Sequence, residues 1–158
     1  DFSLKSAKSG FVIARSEPLA AAKAGWNQQG HPFYSTGVSY TETFEVTKPS
    51  GRYCVAVPSW YGSVAKVSVN GKPCGHLVSQ PWECDVTDAI RPGLNTVEVV
   101  VIGTLKNTLG PHHAGTGVGS AWPGMFHQGP AQGPPPGNAY HTLSYGLFEP
   151  FVLKRVGD

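Results

Sequence analysis

The chain has 158 residues, enough for one domain with a sizeable core and no need of staples, and residues 1–158 are read as a single unit. Twelve Lys and Arg against ten Asp and Glu leave a formal charge of +2, with only 14% of residues charged. There is no block of like charge to hold nucleic acid or an anionic membrane, and no apolar run near the roughly 20 residues that span a bilayer, so the expected partner is uncharged or weakly charged.

The chain opens Asp1-Phe2-Ser3-Leu4-Lys5, with neither an initiator Met nor a signal-peptide core, and reads as a processed or excised piece. Helical periodicity is nearly absent, and only Glu17–Ala24 (EPLAAAKA) offers a helical turn or two. Along Ser39–Val46, Tyr40, Phe44 and Val46 share one face, and Thr41, Thr43 and Glu45 share the other, which is the period of a half-buried strand. Arg52–Val57 is apolar on both faces, as a central strand is. In the next strand Ala65, Val67 and Val69 alternate with Lys66 and Ser68, and Asn70-Gly71 supplies the two positive-φ residues of a type I′ hairpin.

Trp82–Val86 reads as a short strand. Asp85, Thr87 or Asp88 caps the turn Asp88–Arg91, which Pro92-Gly93 ends. Leu94–Ile102 is a strand with Val97, Val99 and Val101 on one face, and Leu147–Arg155 is the last strand, with Phe151 and Leu153 opposed to Phe148 and Val152. Many short strands, turn signals and no helices between them give an all-β fold, an antiparallel β-sandwich. A long Gly/Pro-rich loop precedes the last strand: 14 of the 28 residues from Gly110 to Gly137 are Gly or Pro, and Gly129–Gly137 is expected to be mobile or extended. Long loops inside compact domains are usually functional or disordered, and this one carries His112, His113, Trp122, Phe126 and His127, with Tyr140 beyond, whose aromatics argue against simple disorder.

Cys54, Cys74 and Cys84 lack metal-ligand spacing, and an odd number allows at most one internal disulfide. Cys74 and Cys84 would bridge only if their strands pair in register; otherwise all three are free, buried, hydrophobe-like thiols.

Several segments together carry a resemblance: Trp26–Tyr34 (WNQQGHPFY), Tyr40–Val46, Val69–Gly75 (VNGKPCG), Asp85–Asn95 (DVTDAIRPGLN), Thr104–His113 (TLKNTLGPHH) and Tyr145-Gly146-Leu147. The pattern resembles the galactose-binding-domain-like jelly rolls. More narrowly, it is similar to non-catalytic modules of large glycoside hydrolases, such as the sugar-binding domain of family two and C-terminal modules of rhamnosidase-like enzymes. The resemblance implies carbohydrate binding to a polysaccharide or oligosaccharide, or scaffolding beside the catalytic domain of a parent glycoside hydrolase, in a secreted, periplasmic or cell-surface setting. It requires no cofactor, and it suggests a structural calcium ion with Glu149 or Glu42 as carboxylate donors.

A fold is not a site, so candidates must come from residue chemistry. Sugars present flat apolar faces ringed by hydroxyls, and they are met by aromatic rings and by amide, imidazole or charged groups. Trp60 and Tyr61 lie between two strands, Trp26 and His31 in the N-terminal approach, and Asn107, His112, His113, Trp122 and Tyr140 after the Val97 strand. If these loops meet at one rim, they form a polar-aromatic cleft. Each has a plainer reading too. Trp26, Phe33 and Tyr34 can close the core, Trp82 can be core, one of His112-His113 can bind loop carbonyls, and Asn107 can satisfy backbone groups at a strand end.

Catalysis finds little support. Glycosidase chemistry needs two carboxyl groups facing across a cleft, whereas Glu83, Asp85 and Asp88 are explained by turns and caps and Glu42 and Glu45 lie on opposite strand faces. No nucleophile elbow, phosphate loop or H-E-x-x-H is present, and the six histidines have no zinc or copper spacing. The alternatives to sugar binding are an inert structural domain and a protein-binding or oligomerising module using the Gly/Pro loop.

Overall fold

The computed structural model describes residues 2–8, 10–15, 17–110 and 141–157. Among them, eleven strands and one short helix run in the order β1 (Phe2–Ala7), β2 (Gly10–Arg15), β3 (Gly37–Val46), β4 (Arg52–Ala56), β5 (Trp60–Tyr61), β6 (Val64–Val69), β7 (Lys72–Leu77), β8 (Glu83–Asp85), β9 (Gly93–Ile102), α1 (Lys106–Leu109), β10 (Gly146–Leu147) and β11 (Val152–Val156). A 3-10 turn, Thr87–Ala89, stands between β8 and β9. No described helix is long and apolar enough to cross a membrane.

Every pairing is antiparallel. One sheet has the order β3-β9-β6-β7 and the facing one β11-β4-β8, which is the sandwich expected from the sequence. The core lies between them. Val97, Val99 and Val101 of β9, Ala65, Val67 and Val69 of β6, and Tyr40 and Val46 of β3 line one wall. Tyr53 and Val55 of β4, Cys84 of β8 and Phe151 line the other. Their alternation in sequence follows from the two-residue period that turns every second side chain inward.

The central strand β4 is buried on both faces, with Tyr53, Cys54, Val55 and Ala56 all shielded. Cys54 and Ala56 point away from the sandwich core; Cys54 lies between Asp85 on β8 and Lys154 on β11, and Ala56 between Glu83 on β8 and Val152 on β11. The Lys154–Glu83 ion pair, 3.1 Å, spans β4 from one flanking strand to the other, so its long side chains roof the two small residues beneath.

Several expectations are corrected. Glu17–Ala24 is not helical. The Gln29 side chain instead accepts from Ala20 N–H and donates to the carbonyls of Ala20 and Ala24, taking backbone groups a helix would use. The single last strand is two, because residues 148–151 around Pro150 break the ladder; β10 then pairs with β5, and β11 with β4. Trp60-Tyr61 is a short strand rather than a loop. The β1–β2 hairpin was not foreseen. Cys74 and Cys84 are not bridged, and all three cysteines are free thiols. The loop Gly110–Gly137 lies, apart from Gly110, outside the described residues.

Candidate aromatic rim

The first residues of β3 and β6 and the last of β9 lie at one end of the sandwich, and that end gathers the chain segments carrying most of the candidate side chains. Trp26 N–H donates to the carbonyl of Tyr145, which zips the N-terminal loop to the approach to β10. The Trp26 indole N–H donates to the Tyr40 hydroxyl at 2.7 Å, and the same oxygen accepts from Leu147 N–H. Gly146, at φ +129°, allows this: a Cβ there would stand 2.7 Å from the Trp26 indole nitrogen and 2.8 Å from the Tyr40 hydroxyl. Burial pushes the Tyr40 phenol pKa up, with the Trp26 bond pulling the other way, so the group stays neutral in the core.

From this buried anchor a row of rings runs outward in both directions. Tyr34 meets Trp26 edge-on at 5.7 Å, and His31 meets Tyr34 at 6.3 Å. On the other side Tyr145 lies 5.9 Å from Trp26, and Tyr61 stacks on Tyr145 at 5.6 Å with only 6° between the planes. The Tyr145 hydroxyl hydrogen-bonds Thr104 Oγ1. Burial again raises its pKa. The two outermost tyrosines, Tyr34 and Tyr61, are each 38% exposed, while Trp26 and Tyr145 between them are buried. The result is a row of packed rings with an exposed tyrosine on either side of the buried pair.

The structure therefore brings Trp26, His31, Tyr61 and Asn107 to one end, in different roles. Trp26 is 0% exposed and is a core residue, so its surface role is corrected. Asn107, also 0% exposed, donates to and accepts from the backbone of Leu143 at 2.8 and 2.7 Å, which closes the chain there and leaves its amide no surface to offer a ligand. His31 is half-buried with its Nε2 3.4 Å from Ser3 Oγ. Trp60 packs edge-on to Trp82 at 5.1 Å, and its buried indole N–H has no hydrogen-bond partner among the described residues. His112, His113, Trp122 and Tyr140 lie outside the described residues. For Tyr34 the sequence leaves core and ligand contact both open, and it offers Tyr145 only as part of a resemblance. The signal that finds Tyr145 is the glycine after it, placed where a side chain would strike Trp26.

Glu42 and Glu149 are both exposed, Glu42 because β3 is the edge strand of its sheet. Among the described residues no three His, Cys, Asp or Glu side chains gather to hold a metal. At the opposite end of the sandwich, an open groove of about 410 Å³ is bordered by Arg52, Lys72, Cys74, Asp85, Thr87 and Asp88. Of its charged side chains, Arg52 pairs with Asp85 at 2.9 Å, and Lys72 donates to the backbone carbonyl of Asp88.

Comparison with known proteins fits this architecture. No protein-family model matches the chain. A protein of Formosa agariphila named "Putative beta-glucuronidase" is 36% identical over 84 residues, which is 51% of this chain and 7% of that protein. Among solved structures, a rhamnosidase from Novosphingobium sp. PP1Y superposes with a TM-score of 0.55 and 27% identity, over 96% of this chain and 14% of its own. A GH2 β-galacturonidase from Eisenbergiella tayi superposes with a TM-score of 0.50 and 19% identity, over 99% of this chain and 22% of its own. The fold is that of a β-sandwich domain occurring within glycoside hydrolase chains, and this chain spans between 7% and 22% of such relatives.

Proposed function

We propose that this chain is a non-catalytic accessory domain of a glycoside hydrolase that binds a polysaccharide or oligosaccharide at the rim between Tyr34 and Tyr61. The observation that carries the reading is the aromatic strip itself: two open tyrosine rings held in fixed positions by the buried pair Trp26 and Tyr145. An open ring offers a flat apolar face for a sugar ring, and pre-fixed rings lose little conformational entropy on binding. His31 at one end can hydrogen-bond hydroxyl groups. The size of the chain against its glycosidase relatives supports an attached role, at the outside of the cell where polysaccharides are met.

The carboxylates support the non-catalytic side. Glu17, Glu83 and Asp85 are held in ion pairs with Lys5, Lys154 and Arg52, and Glu98 accepts from Ser39 and Ser68 on the outer face of the larger sheet. No two of these face each other across a cleft as glycosidic cleavage requires. Affinity electrophoresis and calorimetry against a glycan panel test the proposal. Retardation by at least one glycan, weakened by Tyr61→Ala and Tyr34→Ala, is expected; migration unaffected by every glycan would leave an inert structural domain as the reading.

A further inference from the structure

Residues 104–110, the described part of the TLKNTLGPHH segment, contain neither exposed tyrosine, yet their side chains reach the loops on both sides of the aromatic strip. The chain leaves β9 at Gly103, where a Cβ would stand 3.1 Å from the Tyr145 ring and 3.2 Å from the Trp26 ring, so it passes close against the buried pair. Thr104 Oγ1 then hydrogen-bonds the Tyr145 hydroxyl and accepts from Lys106 N–H at 3.2 Å, which joins that phenol to the start of α1. At the other end of α1, the Thr108 hydroxyl donates to the Phe33 carbonyl at 2.7 Å and shares a hydrogen bond of 2.7 Å with the Ser35 hydroxyl. Phe33 and Ser35 are the residues on either side of Tyr34, whose own hydroxyl donates to Gly37 O at 3.0 Å. One helical turn therefore holds the backbone around one exposed tyrosine and, through Tyr145, the stacking partner of the other. The strands that these tyrosines lead into, β3 and β6, have β9 between them and so stand two strand spacings apart, about 10 Å.

We infer that Thr104 and Thr108 are the positioning residues of the rim: Thr108 sets Tyr34, Thr104 sets Tyr61 through Tyr145, and the separation they fix selects a glycan chain long enough to meet both rings over a single sugar. The inference rests on the rim reading above. A pyranose ring matches one tyrosine ring in size, so a ligand that meets both must run on past one sugar. Two contacts on one ligand reinforce each other only while their spacing matches the ligand, because the second contact then forms within the complex at high effective concentration. Loosening either ring costs ordering entropy on binding, and that cost falls on ligands that use both. Both threonines are exposed, so replacing their hydroxyls leaves the sandwich core untouched. Neither is required to touch the sugar.

Calorimetry on the whole chain tests the inference, with cello-, xylo-, laminari- and galacto-oligosaccharides of increasing length, from the single sugar upward, as probes. Thr104→Val and Thr108→Val are each expected to lower affinity for the longer chains by roughly three- to tenfold and to leave the shortest chain that binds nearly unaffected. Thr104→Ser and Thr108→Ser keep the hydroxyl and are expected to retain wild-type affinity at every length. Side-chain NMR of carbon-labelled tyrosine in the unliganded protein supplies a second measurement: Thr108→Val should loosen the Tyr34 ring alone, and Thr104→Val the Tyr61 and Tyr145 rings alone. An equal loss at all lengths would mean general destabilisation and would overturn the inference, as would tyrosine rings that stay as ordered as in the wild type. Wild-type binding that neither valine variant changes leaves the rim standing and overturns the positioning role. No binding by any of the four series overturns the rim, and selection by length falls with it.

Discussion

The side-chain amide of Asn70 donates to the amide oxygen of Asn95 at 2.9 Å, tying the β6–β7 hairpin to the turn that feeds β9. Asn70 holds φ at 54°, next to Gly71 at 78°, and its side chain also donates to Ala89 O and accepts from Thr96 N–H. Asn95, 0% exposed, accepts from Arg91 N–H and donates to the carbonyls of Arg91 and Gly93. Two turns distant in sequence thus satisfy each other's backbone. Asn95→Ala would orphan several buried groups at once and is expected to cost about 2–4 kcal/mol. Urea unfolding checks it: the midpoint should fall with an unchanged slope. A loss under about 0.5 kcal/mol would mean that water replaces the amide.

At the other end, Tyr40→Phe removes the acceptor of the Trp26 indole and leaves a buried N–H without a partner. The expected loss is about 1–3 kcal/mol of stability. Because Trp26 is a core residue, glycan affinity should be unchanged once the protein is folded. A fall in affinity with no fall in stability would return Trp26 to the binding surface.

The sequence made the walls of the sandwich legible and its ends much less so. Val97, Val99 and Val101 alternate cleanly because β9 is a central strand with one face packed, and Asn70-Gly71 marks a turn because few other pairs tolerate two positive φ angles. The β1–β2 hairpin escaped because Ser6 and Ala7 break the alternation that Phe2-Ser3-Leu4-Lys5 begins, and Phe11-Val12-Ile13-Ala14 is apolar on both faces. Glu17–Ala24 misled because alanine favours helix, but eight residues are too few to hold one without packing, and Gln29 competes for the same backbone groups. In the rim, Trp26 and Tyr61 look alike as aromatic loop residues. What separates them is the glycine at 146 and the phenol of Tyr40, more than a hundred residues apart.

Asp85 should make stability depend on acid. Hydrogen bonds from the Thr87 hydroxyl and backbone N–H, then from Arg52, hold its carboxyl down at about 2, against an ordinary 3.8. A lowered folded-state pKa contributes stability that is present above the unfolded value and is lost as pH falls through the folded one. The loss attributable to Asp85 is therefore expected between about pH 4 and pH 2. Thermal melts across that window should show a shallower decline for Asp85→Asn than for the wild type, and parallel declines would place the acid sensitivity elsewhere.

The three thiols should react in order of exposure. Burial pushes the Cys84 thiol up to about 11 and raises that of Cys54, which lies under the Lys154–Glu83 pair. Cys74, on β7, is the least shielded. With a thiol reagent at pH 8, one residue, Cys74, is expected to label in the folded protein, and Cys54 and Cys84 only on unfolding. Lys154→Ala should speed Cys54 selectively, because it opens the roof over β4.

Tyr61 and Trp60 are neighbours in β5 and point to opposite consequences. Tyr61 is stacked on one face by Tyr145 and remains 38% exposed, whereas Trp60 packs on Trp82 and joins the edge of the core. Tyr61→Ala is expected to weaken glycan binding by about 1–3 kcal/mol, or roughly 5- to 150-fold, with little effect on the melting temperature. Trp60→Ala is expected to lower stability by about 2 kcal/mol through the lost packing, with affinity restored to the wild-type value under conditions where the variant is folded. Calorimetry beside thermal melts on both variants decides between them. The reverse pattern, affinity lost with Trp60 and kept without Tyr61, would move the sugar from the outer tyrosines to the Trp60–Trp82 side of the rim.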